Sequence, residues 1–178
     1  DIRVGILTIR EKWERMLKLA SFDKWEGYYL DDERSIKIDK TIGEDICLMV
    51  HANVLPTKSI ISKIKKLQHG EFLSVKNEGG IAYKFSAKEV LGLHKIKITH
   101  SVEHNESLKV LHYPWQIFQL NDWAIRQDFE LITARRKSKP ISKTNTIINV
   151  AQIFIEAGAK VEHCTLNAST GPIYIGKN

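Results

Sequence analysis

The sequence predicts an α/β domain that feeds into the start of a left-handed β-helix. Three observations carry that expectation. Segments with helical and strand periods alternate through the first 140 residues, the pattern of a layered α/β fold. The run Ile46-Cys47-Leu48-Met49-Val50 is apolar without interruption, as in a strand covered on both faces of a mostly parallel sheet. Ile155, Val161 and Ile173 fall on multiples of six with small residues and Gly between them, the spacing of hexapeptide coils.

In chain order, Thr8-Ile9-Arg10-Glu11 reads as a capping box. The helix it opens carries Ile9, Trp13, Met16 and Leu17 on one face and ends before Ser21. Tyr28-Tyr29-Leu30 offers a short strand. After the apolar run, Thr57 can cap a helix to about Leu67, with Ile60, Ile61, Ile64 and Leu67 inward and Lys63, Lys65 and Lys66 outward. Gly70 closes it, and Phe72 to Val75 forms the next strand. Asn77 to Gly80 turns the chain into Ile81-Ala82-Tyr83-Lys84-Phe85, an antiparallel, half-buried strand, and Ile96-Lys97-Ile98 repeats the alternation. Tyr113-Pro114-Trp115 then introduces a helix carrying Phe118, Ile125, Phe129 and Ile132. These aromatics are expected in the core, with stacking on a base or sugar as the alternative. A basic linker ends at Pro140, giving an α/β domain over 1–140 and the first coils of the β-helix over 141–178.

Composition narrows the function. The chain of 178 residues is 43% hydrophobic and 27% charged, an ordinary globular balance. No apolar run reaches the length of a transmembrane helix, and a cytoplasmic protein without membrane partners is expected. The net charge of +6 is spread over several elements and forms no single stripe, which argues against a nucleic-acid surface. Cys47 and Cys164 lack disulfide or metal-ligand spacing and read as buried free thiols. His94, His100, His104 and His112 share no zinc spacing and read as surface or loop residues.

Two places can carry chemistry. Asn53 follows the apolar strand, and ligands of open α/β sheets collect beyond the carboxyl ends of strands; a turn role is the alternative. Asn121 and Asp122 pair an amide with a carboxylate where a helix is expected to begin, and either can cap it or contact a metal or ribose. A repeat stretch this short cannot bury its own apolar column, and Asp1 lacks a preceding Met, so a longer parent protein is expected.

Asp1-Ile2-Arg3-Val4-Gly5-Ile6-Leu7-Thr8-Ile9-Arg10-Glu11-Lys12-Trp13-Glu14, Asn53-Val54-Leu55-Pro56, Tyr113-Pro114-Trp115-Gln116-Ile117-Phe118, Leu120 to Phe129 and Asn167 to Gly176 together resemble a bacterial family. It comprises sugar nucleotidyltransferases with C-terminal hexapeptide repeats, similar to the bifunctional UDP-N-acetylglucosamine pyrophosphorylase and glucosamine-1-phosphate acetyltransferase. The resemblance implies a Rossmann-like nucleotide-binding domain, incomplete here because the Gly-rich loop of relatives would lie before Asp1, so this stretch alone is expected to be weak or inactive in nucleotidyl transfer while the parent is expected to be an enzyme. It implies a nucleoside triphosphate and a sugar 1-phosphate as substrates, pyrophosphate as product, Mg²⁺ as cofactor and a homotrimer through the β-helix. Carried over by motif, Asn53 would contact substrate where relatives place a metal-binding Asp. Asn121 and Asp122 would be catalytic, with Asp122 on the metal. An Asn at position 53 lacks the charge that holds a hard cation, so a binding domain without catalysis is a second expectation. An acyltransferase whose chemistry lies in further repeats is a third.

Overall fold

The computed structural model describes residues 2–19, 46–76, 78–86 and 100–177. The strands expected at Tyr28 to Leu30 and Ile96 to Ile98, and the histidine at position 94, lie outside them. The chain divides into two compact units, one formed by Ile9–His112 and the other by Asp1–Thr8 with Tyr113–Asn178. No helix of the described residues is long and apolar enough to cross a membrane.

In the Ile9–His112 unit, helix α1 (Ile9–Leu17) buries Ile9, Lys12 and Trp13, while Met16 and Leu17 are only partly covered. The Trp13 indole N–H donates to the Val54 carbonyl at 3.0 Å, so its polar edge is satisfied inside. Strand β1 (Ile46–Val50) is followed by the short β2 (Val54–Leu55) and helix α2 (Lys58–Lys66). Thr57 caps α2 as expected, its side chain accepting from the Ile60 N–H at 3.3 Å. Ile60, Ile61, Ile64 and Leu67 are buried, each contributing about 1.5–3 kcal/mol by area. Gly70 takes φ +79° after the helix, a left-handed value that suits glycine.

Strands β3 (Glu71–Val75), β4 (Gly79–Ser86) and β5 (His100–His104) join β1 in a sheet of order β1-β4-β3-β5, and β6 (Lys109–Val110) pairs with β2. The expected β3–β4 hairpin is present, with Gly79 at φ +72° in its turn. The sheet departs from the mostly parallel one that the Ile46–Val50 run suggested. β1–β4 and β3–β4 are antiparallel, and only β3–β5 is parallel. Among the described residues β1 is an edge strand, and Leu48, Met49 and Val50 are half-buried. An apolar run reports hydrophobicity, whereas edge or centre is fixed by which strands pair with it. His104 is a second departure, since it is 1% exposed at the inward end of β5 opposite Val75. Its Nδ1 has no hydrogen-bond partner among the described residues. Burial first and Lys63 second hold its pKa below the ordinary histidine value.

In the other unit, helix α3 (Gln116–Thr133) precedes four short strands. β7 (Thr146–Ile148) pairs in parallel with β9 (Thr165–Asn167), and β8 (Ile153–Ile155) with β10 (Ile173–Ile175). Ile153, Ile155, Ala159, Leu166 and Ala168 form their core, with Val161, Ile173 and Ile175 packed against it. Corners fall at Asn149, Gly158 and His163, which take φ +60°, +102° and +53°. Asn145 and Asn149 tie one layer to the next, donating to Val161 O at 2.8 Å and Ala168 O at 2.9 Å. Cys164 is a half-buried free thiol whose N–H meets Asn145 Oδ1 at 3.0 Å; nothing is described of the Cys47 side chain.

Candidate functional site

Asn53 sits in the turn between β1 and β2 and is half-buried. Its Nδ2 donates to Leu111 O at 3.3 Å, and its own carbonyl accepts from Leu111 N at 2.9 Å. The residue thereby pins the turn after β1 to the chain leaving β6. Among the described residues its amide oxygen accepts no hydrogen bond.

Asn121 and Asp122 lie inside α3 and do not begin it. The helix starts at Gln116, because the Tyr113-Pro114-Trp115 turn already supplies its first carbonyls: Gln116 N donates to Tyr113 O at 3.1 Å and Ile117 N to Pro114 O at 3.2 Å. As adjacent helical residues the two side chains diverge by about 100°, and each meets a different partner. Asn121 Oδ1 accepts from Gly5 N at 2.8 Å. Both Asp122 oxygens take the Arg126 guanidinium one turn on, at 3.0 and 3.1 Å, and Arg126 also donates to Thr170 O. That hydrogen-bonded guanidinium holds the Asp122 carboxyl below its ordinary pKa, although the side chain is 77% exposed.

The residue that sequence reasoning missed is Asp128, 2% exposed. Its Oδ2 accepts from Ile6 N at 2.8 Å and Leu7 N at 3.0 Å. With Asn121 on Gly5, three successive backbone N–H groups are therefore received by one face of α3. The loop they belong to is tight, with Arg3 bridged to Thr8 and Val4 N on Leu7 O at 3.4 Å. Gly5 has φ +85°, and a Cβ there would stand 2.6 Å from Asp128 Oδ2 and 2.9 Å from the Ala124 backbone carbon. A signal for this seat exists in the sequence: Asn121, Ala124 and Asp128 recur at three and four, placing polar groups and a small residue on one stripe beside the apolar Phe129 and Ile132.

A second polar cluster ties the end of α3 to the parallel strands. Arg136 Nη2 donates to Glu156 Oε1 at 2.7 Å and Nη1 to the Tyr174 hydroxyl at 3.3 Å, while Tyr174 itself donates to Glu156. The Lys177 N–H reaches Glu156 Oε2 at 3.0 Å. Arg136 also lies over the Phe154 ring, which stacks on Tyr174 with centroids 5.6 Å apart. These donors, Arg136 foremost, pull the Glu156 pKa down to about 2 from 4.5. A carboxylate depressed in the folded chain contributes stability that is complete above its unfolded pKa and is lost as pH falls through the folded one. Thermal unfolding between pH 5 and about 2 is therefore expected to show a loss of stability that Glu156→Gln largely removes. An unchanged pH profile in the variant would place the acid sensitivity elsewhere.

The aromatics before α3 are not core. Tyr113 and Trp115 are 55% and 58% exposed and stack on each other at 4.6 Å between centroids, 4° from parallel; Phe118 is 83% exposed. The helical periodicity that buries Phe129 and Ile132 does not extend to this end.

Among the described residues no group of three or more His, Cys, Asp or Glu could hold a metal ion. Residues 1–137 match a protein-family model described as sugar nucleotidyl transferase. No curated protein and no solved structure matches the chain.

Proposed function

Because the chain belongs to the sugar nucleotidyl transferase family, we propose that it serves the joining of a nucleoside triphosphate to a sugar 1-phosphate. A phosphate oxygen of the sugar attacks the α-phosphorus in line, the bond from that phosphorus to the bridging oxygen breaks, and pyrophosphate leaves with the electron pair. The family match over 1–137 is the observation that carries this reading. A cytoplasmic setting, where these substrates occur, is part of the same proposal.

Following the resemblance, we assign Asn53 to substrate contact and Asn121 and Asp122 to catalysis. The described donors do not fit the Mg²⁺ that the resemblance implies. Asp122 is neutralised by Arg126, Asn121 Oδ1 is engaged by Gly5, and Asn53 is uncharged, whereas Mg²⁺ is ordinarily bound through carboxylates. Asp122 would offer the ion a carboxylate whose charge Arg126 partly offsets.

The same observations favour a second reading, a domain that binds a sugar nucleotide without turning it over. The parallel pairing of β7 with β9 and β8 with β10 supports reading 141–178 as the first coils of a left-handed β-helix. Trimerisation and acyl transfer would belong to that solenoid.

The test is pyrophosphate release by the longer parent protein with Mg²⁺, each of four nucleoside triphosphates and a panel of sugar 1-phosphates. Release from one pair is expected. Silence from a folded protein, followed by Mg²⁺-dependent turnover in Asn53→Asp, would replace the leading reading with the second.

A further inference from the structure

The nucleotide chemistry proposed above leaves one feature without a role. Tyr113 and Trp115 expose more than half of their surface although they flank the start of an 18-residue helix, a place where aromatics ordinarily find cover. Their order does not come from burial. Pro114 separates them, Tyr113 N donates to Gln116 Oε1 at 2.8 Å, and the carbonyls of Tyr113, Pro114 and Trp115 each accept from the first helical N–H groups. The backbone of the turn is thus fixed and the two rings lie parallel against each other before any ligand arrives, which lowers the ordering cost of binding.

We propose that the Tyr113–Trp115 stack is a platform for the planar base of a nucleotide. Two parallel rings 4.6 Å apart form a stack that a third flat ring extends, and stacking of a base on an aromatic side chain accepts any π-face. The family's substrates contain one such ring, the base, so the occupant follows from the chemistry of the family and the planarity of the pair. A protein partner fits less well. The exposed aromatics of this segment are three, Tyr113, Trp115 and Phe118, against the roughly 20–30 residues a side of a stable interface.

The proposal rests on the nucleotidyl-transfer reading, and calorimetry on the whole chain separates the two. The probes are the four nucleoside triphosphates and inorganic tripolyphosphate, which carries comparable charge without a base. Wild type is expected to bind at least one nucleotide. Trp115→Ala and Tyr113→Ala are expected to weaken it about tenfold, and Trp115→Phe to stay within about threefold. Tripolyphosphate should bind all four proteins alike, a readout that unfolding would spoil. Nucleotide binding unchanged in both alanine variants overturns the platform and leaves the family reading standing. No nucleotide binding by folded wild type overturns both. Self-association lost in Trp115→Ala with nucleotide affinity intact overturns the platform in favour of a second copy of the chain.

Discussion

Replacing Asp128 with Ala is expected to destabilise the chain by about 3–6 kcal/mol, two hydrogen bonds to a charged acceptor at about 1.5–3 each. The carboxylate is buried and receives the Ile6 and Leu7 N–H groups at 2.8 and 3.0 Å. Its removal strands the buried Leu7 donor, takes the partner from the part-buried Ile6 donor, and leaves the loop held by Gly5 on Asn121 alone among these three bonds. Urea unfolding measures the loss, and amide exchange locates it, since protection at Ile6 and Leu7 should collapse before that at Ile60 or Leu73. Asp128→Asn keeps an acceptor of the same shape without the charge, so it should cost less than the Ala variant. A loss below about 1 kcal/mol in Asp128→Ala, the scale of an ordinary neutral hydrogen bond, would show that the buried apolar neighbours Val4 and Leu7 seat the loop without it.

How far the sequence carried can be traced to the range of each interaction. Helix α2 was legible because its determinants are local: Thr57 caps it and Ile60, Ile61, Ile64 and Leu67 share a face. The β3–β4 hairpin was legible for the same reason, through Gly79 and Gly80 and the alternation after them. Of the spacing read at Ile155, Val161 and Ile173, the structure shows Ile155 in the core with Val161 and Ile173 packed against it, and β8 and β10 paired in parallel. What misled was nonlocal. Ile46–Val50 reads as a central strand until its neighbours are known, and His104 is buried by a pairing with Val75 across 29 positions of chain.

The candidate site divides along the same line. Asn53, Asn121 and Asp122 were singled out by residue type and motif, yet their partners Leu111, Gly5 and Arg126 were not foreseen. Only Arg126 stands at the i,i+4 distance that a helical reading supplies. Asp128 was passed over because a lone acid in a helix ordinarily faces solvent. The exposure of Tyr113 and Trp115 depends on what does not pack against them, and no local pattern encodes that absence. Position by position, residues chosen for chemistry turn out to carry structural contacts, which is why turnover, and not geometry, decides between catalysis and binding.

Gly5→Ala is expected to cost about 2–4 kcal/mol, combining the strain of a side chain at positive φ with overpacking. The steric part is hard to relieve. A Cβ would meet Asp128 Oδ2 at 2.6 Å and the Ala124 backbone carbon at 2.9 Å, and helix backbone yields less than the end of a flexible side chain. The loop must lift, and lifting it lengthens the bonds from Gly5 to Asn121 and from Ile6 and Leu7 to Asp128. Gly5→Ala and Asp128→Ala therefore break one seat by two routes, and their effects should not add. The double variant is expected to fall short of the sum by about 0.5–3 kcal/mol, the range for residues in direct contact. Additive losses would mean that the glycine and the carboxylate act independently. In that event φ +85° would account for the glycine alone, and Asp128 would be holding the N–H groups of a loop already shaped without it.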